Sequence, residues 1–307
     1  MSEDGMKMPG SLKLRLPATS ANLGPGFDAA AIAFDFCLEI EASPADEFSI
    51  HAAGRNSDRC GKLEDNLILS TYKDLLARAG KPLQPLHLRM DNGIPLGMGC
   101  GSSAAGLLAA ILLANHFGNL GWSSQQILEE ASALEGHPDN VAACWLGGFV
   151  TAASQGRTVH YAQVAPPEAW QAIVVLPFEP LATKKARAIL PDCYDRTDVV
   201  VNIQSSALLG LAFAQQRGDL LRIAMNDRIH QPYRASVCTL LPPLLPLAGS
   251  HGILGVALSG AGPSVLIVVE SRERLEEARS AILAALPQSD PPELICCGFQ
   301  KTGATLL

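Results

Sequence analysis

The sequence lacks an uninterrupted apolar stretch long enough to cross a bilayer. The longest such stretch runs from Ala104 to Ala114, about half of the ~20 residues that a spanning helix needs. The chain begins MSEDGMKMPG, with acidic residues where a signal peptide has a basic region, and no apolar segment follows. We therefore expect a cytoplasmic protein without membrane contact, in which residues 104–114 form a core helix.

Charge is also scarce, since Asp, Glu, Lys and Arg make up only 17% of the 307 residues and the formal net charge is −7. Such a protein repels a polyanion overall, so we expect no nucleic-acid partner. Hydrophobic residues make up 48% of the chain, too many for a disordered protein. At this length and composition, two domains can each bury a core.

The eight cysteines lack the spacing of a metal site or of a disulfide framework. None of them forms a Cys-x-x-Cys pair, the arrangement that many zinc sites and redox motifs use. Most of them lie among apolar residues. We therefore predict free, buried thiols in a reducing cytosol.

Strand and helix patterns are mixed along the whole chain, which predicts an α+β fold. The predicted strands are 12–16, 29–40, 86–90, 172–177, 253–258, 265–269 and 294–298, with an edge hairpin and a loop within 44–66. The predicted helices include 66–79, 199–216, 272–286 and 123–136, the last with Ser123 or Ser124 as its N-cap and Gly136 as its end. The pattern changes near residues 150–170, so we predict two domains, 1–160 and 161–307.

Residues 95–106, PLGMGCGSSAAG, place three glycines and two serines directly before the apolar helix. Glycine lets a backbone approach a ligand closely, and a helix N-terminus offers unpaired N–H groups and about half a positive charge. This combination predicts a phosphate-binding loop. The alternative is a tight turn whose glycines only permit packing.

Three other glycine motifs fit this stretch less well. A Walker A loop needs a lysine near its end, and none occurs here. A dinucleotide fingerprint needs an acidic residue about 20 positions further on, where this chain has NLGWSS. In a hydrolase elbow Ser103 would be the nucleophile, but Ala105 replaces the second glycine of Gly-x-Ser-x-Gly.

Three further segments accompany the glycine loop: PATSANLGPGFD at 17–28, EGHPDNVAA at 135–143 and LSGAGPS at 258–264. In this order the four segments resemble the motifs of the GHMP kinase superfamily, and most closely those of the homoserine kinase family. That family phosphorylates the side-chain hydroxyl of L-homoserine with MgATP, on the route to threonine. The resemblance implies an ATP-binding, ribosomal-S5-like N-terminal domain, a ferredoxin-like C-terminal domain and a homodimer.

The resemblance also implies a nucleotide site. Asn66 would lie near the adenine, although its position before an apolar run equally suits a helix cap. Magnesium prefers oxygen ligands, and Ser102 and Glu135 are the implied pair, with Glu129 and Glu130 as rivals to Glu135. The triphosphate would lie on a continuous stretch of residues: Pro95, Leu96, Gly97, Met98, Gly99, Cys100, Gly101, Ser102, Ser103, Ala104 and Ala105.

A second implied site binds the zwitterionic amino acid. Its carboxylate calls for arginine, whose fork makes paired hydrogen bonds, and Arg187 and Arg234 match family positions. For Arg187 a surface salt bridge is the alternative. The substrate's ammonium calls for a carboxylate. The implied substrate-binding residues are Asn22, Asp28, His137, Asp139, Thr183, Arg187 and Arg234.

Asp139 and Asn140 are the implied catalytic residues. Phosphoryl transfer depends mostly on positioning and charge neutralisation, so Asp139 would orient the substrate. Whether it also accepts the hydroxyl proton stays open, because homoserine kinases can work without a dedicated base. His137 would form a hydrogen bond to the substrate.

Two residues depart from the family pattern, namely Cys100 in place of leucine and Ala143 in place of proline. Cys100 lies beside a helix N-terminus, so it is either a reactive thiol or, as we favour, a small apolar filler. Three other functions stay open from the sequence. They are a kinase for mevalonate, a sugar or another small alcohol, a nucleotide sensor without transfer, and a serine hydrolase.

Overall fold

A long antiparallel hairpin forms the centre of the N-terminal half. Its strands are β1 (Leu12–Asn22) and β2 (Gly26–Pro44). The computed structural model describes residues 10–287, 289 and 291–307. β1 alternates buried and exposed residues up to Leu16, and from there to Asn22 every residue is buried. The end of β1 therefore lies inside the molecule, where it can line a site.

Five shorter strands complete the first sheet around this hairpin. Its order is β11–β1–β2–β4–β3, and β2 also pairs with β5, which pairs with β6. β2 serves two neighbours because residues 38–44 pair with β4 and residues 30–32 pair with β5. The added strands are β3 (Ser49–Gly54), β4 (Leu86–Asn92), β5 (Phe149–Gln155), β6 (Thr158–Val164) and β11 (Thr305–Leu306).

Helices cover one face of this sheet, and the apolar helix predicted after the glycine loop is the central one. Every residue from Ala104 to Ala114 is buried, as expected of a helix that is apolar on all sides. This helix contacts three of the others and β1, which confirms the predicted core helix. The helices are α1 (Ser57–Cys60), α2 (Leu67–Arg78), α3 (Ser102–Phe117), α4 (Ser124–Glu135) and α5 (Asp139–Leu146).

The helix ends predicted from capping residues are confirmed. Ser123 caps α4, with its side chain accepting from the Gln126 amide while the Gln126 side chain bonds back to the Ser123 amide. Gly136 ends α4 in a left-handed conformation, at φ 90°. Asn66 caps α2 by accepting from the amides of Ile68 and Leu69 at 3.1 and 3.2 Å.

The second sheet has the order β10–β7–β9–β8, with every pair antiparallel. When its four strands are numbered in chain order, their order across the sheet is 4-1-3-2. This is the ferredoxin-like arrangement that the sequence resemblance predicted. The strands are β7 (Gln171–Leu176), β8 (Ile253–Leu258), β9 (Val265–Val269) and β10 (Glu293–Gly298).

Both faces of this sheet are buried, which explains why its central strands are apolar throughout. In β7, Ile173 and Val175 pack into a second core with β8, whereas Ala172 and Val174 pack into the first core. The second sheet is therefore continuous with the first core on one side. The helices of this half are α6 (Thr183–Ala188), α7 (Arg196–Ala214), α8 (Leu221–Ala224), α9 (Gln231–Arg234), α10 (Leu241–Leu244) and α11 (Leu275–Ala285).

The C-terminal segment returns to the first sheet. The Gln300 amide donates to Ala33 O at 2.9 Å, and β11 pairs with β1. On the other side of the predicted boundary, β6 extends to Val164. The division into domains 1–160 and 161–307 thus stays a prediction, while the first sheet contains residues from both ends of the chain.

Two features of the fold differ from what the sequence pattern indicated. The edge hairpin predicted within 44–66 is wrong, because β3 pairs in parallel with β4 and is followed by α1. In addition, α7 is long and apolar enough to cross a membrane by length and composition alone. A single helix of this kind is weak evidence for a membrane protein.

Candidate active site

The glycine loop folds back between two other segments of the chain. Gly97, Gly99 and Gly101 have φ of 72°, 74° and 72°, a left-handed conformation that favours glycine. A Cβ on Gly99 would lie 2.1 Å from the Ser259 carbonyl oxygen, and one on Gly101 would lie 1.9 Å from Thr19 Oγ1. Only glycine therefore allows this close approach.

Hydrogen bonds fix the loop in place from both sides. The Thr19 amide donates to Cys100 O at 3.1 Å, and the Ser259 hydroxyl donates to Gly99 O at 2.7 Å. Thr19 also donates through its hydroxyl to Asn140 Oδ1 at 2.7 Å. All four sequence segments that carried the family resemblance thus meet around one loop.

An oxygen-rich pair lies at the N-terminus of α3. The Ser103 hydroxyl donates to Glu135 Oε2 at 2.7 Å, and Ser102 lines the same cleft. Hydroxyl and carboxylate oxygens are ligands that suit Mg²⁺. Ser103, rather than the predicted Ser102, is the serine that contacts Glu135, although both remain candidates for a metal ligand.

The two rival glutamates have other partners. Glu130 is buried and accepts from Arg78 Nη1 at 2.9 Å and from Arg157 Nη2 at 2.8 Å. Glu129 accepts from the Gln125 side chain at 2.8 Å. Neither lines the cleft, so the structure favours Glu135 among the three.

His137 and Asp139 form a close pair at the start of α5. His137 Nδ1 lies 2.5 Å from Asp139 Oδ1, which also accepts from the Asn140 amide at 2.6 Å. Burial lowers the pKa of His137, but the hydrogen bond to Asp139 and the surrounding carboxylates outweigh it, so the pKa is raised above its usual value. This raised pKa favours a protonated imidazole facing the carboxylate.

Opposite this pair lies a bidentate ion pair between Arg187 and Asp28. Arg187 Nη1 donates to Asp28 Oδ2 at 3.0 Å, and Nη2 donates to Asp28 Oδ1 at 2.6 Å. The salt bridge that was the alternative for Arg187 therefore exists, but its partner is itself a predicted site residue. Asp28 and Asp139 bring two carboxylates within 4.8 Å of each other, so this corner can attract a cationic group.

Arg234 lies beside this corner and is 1% exposed. Its Nε donates to Ala186 O at 3.1 Å, and its Nη1 lies 3.0 Å from His230 Nδ1. The guanidinium carbons of Arg234 and Arg187 lie 5.4 and 5.6 Å from the centre of the Phe27 ring. Burial and then the charge of Arg187 lower the pKa of Arg234, so an anion between the two arginines would relieve their repulsion.

Asn22 has a supporting role in the structure. Its side chain donates to Gly260 O at 2.7 Å and accepts from the Asp28 amide at 3.0 Å. Both ends of the amide are thereby occupied, and the residue joins the first segment to the SGAGPS segment. Asn22 still lines the cleft, but its contacts orient the backbone that carries Asp28.

One cleft contains most of the predicted residues. A neighbouring groove shares Gly97, Ser102 and Ser103 with it and includes Asn66 and Leu96. The predicted residues that line the cleft are Asn22, Asp28, Gly97, Gly99, Gly101, Ser102, Ser103, Glu135, His137, Asp139, Asn140, Arg187 and Arg234.

The other predicted residues lie elsewhere. Pro95 and Met98 line a different cavity behind the loop, whereas Cys100, Ala104 and Ala105 are buried in the core. Asn66 uses its side chain as the cap of α2 and also donates to Cys60 O and Lys62 O. The side chain of Thr183 lies outside the described part of the structure.

Cys100 fits the apolar filler that the sequence favoured. Its side chain is 1% exposed, and burial raises its pKa to about 12. A thiol with such a pKa stays protonated and unreactive at neutral pH. The neighbouring helix N-terminus therefore does not activate it.

Several residues of the site were not assigned from the sequence. Gly260 and Ala261 line the cleft. They belong to the SGAGPS segment, for whose residues the sequence predicted no individual role. Thr19 and Ser259 hold the loop, and His230 contacts Arg234. Thr19, Ser259, Gly260 and Ala261 all lie in segments that carried the family resemblance, whereas His230 lies outside those four segments and acts through a contact that joins distant parts of the chain.

Two family models match the chain. The GHMP kinases N terminal domain matches residues 66–148, and the GHMP kinases C terminal domain matches residues 211–288. A homoserine kinase from Solibacter usitatus is 44% identical over 84% of each chain, and one from Synechocystis sp. is 33% identical over 96% of this chain and 98% of its own. A solved homoserine kinase structure from Cytophaga hutchinsonii has a TM-score of 0.82 and 24% identity, with all of both chains covered.

Replacing a glycine by alanine tests whether the close approach of the glycine loop to Thr19 is what requires glycine at position 101. Gly121 has φ +69° and open space around its Cβ position, so G121A should cost only the left-handed strain of ~1–2 kcal/mol. G101A carries the same strain and also a clash with Thr19, which should add a further ~1–3 kcal/mol. Urea unfolding of both variants measures the difference, and equal losses would contradict the packing described here.

Proposed function

The chain belongs to the GHMP kinase family and, within it, to the homoserine kinases, and on that premise we propose how its residues divide the reaction. It is an ATP-dependent kinase that transfers the γ-phosphate of ATP to the side-chain hydroxyl of L-homoserine, giving O-phospho-L-homoserine for threonine biosynthesis. The observation that supports our assignment is a single cleft with an oxygen-ligand pair at one end and paired opposite charges at the other.

The paired charges match a zwitterionic amino acid. We assign the substrate carboxylate to Arg187 and Arg234, and the substrate ammonium to Asp28. The substrate carboxylate would take the place of Asp28 beside Arg187, and the substrate ammonium would take the place of Arg187 beside Asp28. Neither protein charge then loses its partner when the substrate binds. That exchange avoids the cost of burying an unpaired charge.

The other end of the cleft suits a triphosphate and its metal ion. The loop amides and the N-terminus of α3 would face the phosphate oxygens, because glycines leave the backbone exposed there. We place the adenine in the groove beside Asn66. Ser102, Ser103 and Glu135 are the groups that would hold Mg²⁺, which neutralises phosphate charge when bound.

Asp139 is the residue that we assign to the substrate hydroxyl. Its Oδ1 already holds His137 and the Asn140 amide, so Oδ2 is the oxygen that can face the substrate. From there it can orient the hydroxyl and accept its proton. Asn140, held by Thr19, would keep this carboxylate next to the phosphate loop.

The rival functions lose their support at specific residues. A serine hydrolase needs a base beside Ser103, but the Ser103 hydroxyl donates to Glu135 instead of to a histidine. A nucleotide sensor that had lost phosphoryl transfer should lack the carboxylates of the site. In this chain Asp28, Glu135 and Asp139 all line the cleft. A neutral sugar has no carboxylate for Arg187 and Arg234, and mevalonate, which has a carboxylate, lacks the ammonium that would pair with Asp28.

A panel of small alcohols tests the substrate assignment on the unmodified enzyme. L-homoserine should turn over, whereas 4-hydroxybutyrate and mevalonate, which both lack the ammonium, should lose at least ~100-fold in kcat/KM, because neither can replace Arg187 as the partner of Asp28. D-homoserine, L-serine and galactose complete the panel, with ADP release as the measurement. Comparable turnover of 4-hydroxybutyrate and L-homoserine would contradict the role of Asp28.

Two matched substitutions test the metal assignment. E135Q should lower kcat/KM at least ~10-fold and raise the Mg²⁺ concentration needed for activity, with stability within ~0.5 kcal/mol of wild type. E130Q should instead lose ~1–3 kcal/mol of stability by weakening its bonds to two arginines, with an unchanged Mg²⁺ dependence. A Mg²⁺ titration and urea unfolding measure both effects, and the reverse pattern would move the metal to Glu130.

We also propose a homodimer that forms through α7. An apolar stripe on this helix faces solvent, with Val200, Ile203 and Leu211 exposed by 46%, 62% and 56%. On this 19-residue helix, the stripe from Val200 to Leu211 is about 17 Å long at 1.5 Å per residue, and a second copy of the chain could cover it. A subunit interface would therefore account for the exposed apolar residues of α7 without a membrane. This agrees with the cytoplasmic location that we propose.

Light scattering after gel filtration tests this interface. The wild-type protein should be a dimer at micromolar concentration, and the double variant I203E/L211E should be a monomer with an unchanged circular dichroism spectrum, because charged side chains would face each other across the stripe. A monomeric wild type would contradict the dimer. A dimeric double variant would place the interface elsewhere.

A further inference from the structure

His230 is a fully buried histidine at the boundary between the two halves of the site, directly before α9. Its Nε2 lies 2.7 Å from Gly24 O, and its Nδ1 lies 3.0 Å from Arg234 Nη1. The ring also stacks on Phe27, with centres 5.2 Å apart. One side chain thus contacts the first sequence segment, the aromatic ring beside the arginines and the guanidinium itself.

The two partners of the imidazole allow a single protonation state. A carbonyl oxygen only accepts, so Nε2 carries the hydrogen that bonds to Gly24. A guanidinium only donates, so Nδ1 must offer its lone pair to Arg234. The neutral tautomer with hydrogen on Nε2 satisfies both bonds, whereas a protonated ring would face Arg234 with a positive N–H.

The surroundings keep the ring in this neutral form. Burial lowers the pKa of His230, and the charge of Arg234 acts in the same direction. Asp227 lies 3.6 Å from Nε2 and raises the pKa in part. Its carboxylate also accepts from the amides of Ile229, His230 and Gln231, so it is committed to the turn before α9.

We propose that His230 is a positioning residue for Arg234, which it holds so that the remaining N–H groups of the guanidinium face the substrate carboxylate. This inference rests on the assignment of Arg234 to that carboxylate. Arg234 is fixed at two points, with Nε on Ala186 O and Nη1 on His230 Nδ1. Neither anchor uses Nη2, and Arg234 lines the cleft.

Fixing this side chain before binding has a physical benefit. A free arginine loses rotamer freedom when it closes on a ligand, and a guanidinium held in place avoids that loss at the moment of binding. The anchors also couple the site's two arginines, because Ala186 immediately precedes Arg187 in α6. His230 therefore influences the positions of both guanidinium groups relative to Gly24 and Phe27.

Two near-isosteric substitutions separate this role from simple packing. In H230N the side-chain oxygen can take the place of Nδ1 and accept from Arg234, while the bond to Gly24 is lost. In H230Q the side-chain nitrogen can take the place of Nε2 and donate to Gly24, while the acceptor for Arg234 is lost. Both variants remove the ring, so they share the loss of stacking on Phe27.

We expect H230Q to raise the KM for L-homoserine by about tenfold or more, the scale of a lost hydrogen bond to a charged group. H230N should stay within about threefold of wild type, and the KM for ATP should change little in either variant. Steady-state kinetics with each substrate varied in turn measures this split. Equal increases in homoserine KM for both variants would overturn the proposal, since only packing would then be at work.

A double-mutant cycle with R234M completes the test. If His230 acts through Arg234, H230Q should add little to the homoserine KM of R234M, because the group that it positions is already absent. Additive effects would overturn the positioning role while leaving the carboxylate assignment intact. An unchanged homoserine KM in R234M alone would overturn both, and the alcohol panel with wild-type enzyme still tests the kinase activity independently.

Discussion

The whole site depends on one steric constraint, namely that the glycine loop must pass between Thr19 and Ser259 without a Cβ in the way. At Gly99 and Gly101 any side chain would overlap an atom of those neighbours. Because the loop fits, the backbone of three distant segments comes close enough for direct hydrogen bonds. The same contacts hold the start of α3 in the cleft, where the N–H groups of a helix N-terminus can bind phosphate.

Electrostatic pairing is the second organising feature. Two pairs of opposite charge lie in the cleft, since Arg187 bonds to Asp28 and His137 bonds to Asp139, whereas Arg234 bonds to a carbonyl and a neutral imidazole. The Arg187–Asp28 pair therefore offers one positive and one negative group to a zwitterion. A neutral alcohol could not compensate for opening these pairs, so the pairing itself selects for charge in the substrate.

Local sequence patterns predicted the elements well and the site only in part. Caps such as Ser123 and Gly136 act within one helix turn, so they are visible in the sequence. The parallel pairing of β3 was missed because an edge strand and a hairpin strand carry the same alternation. Choosing Glu135 over Glu130 needed the positions of Arg78 and Arg157, two residues that no local pattern connects to α4.

The residues that were missed share a property that explains the omission. Asn22 bonds to Gly260 and His230 bonds to Gly24, pairs separated by 238 and 206 positions in the chain. Contacts of this kind exist only once the second sheet has docked on the first core, so a sequence motif can mark a residue such as Gly260 without showing which distant residue it contacts. Since Arg187 and Arg234 come from one half and Asp28 and His137 from the other, the amino-acid site is itself a product of that docking. A substitution that loosened the return of the C-terminal segment to Ala33 could therefore weaken substrate binding without touching any residue of the cleft.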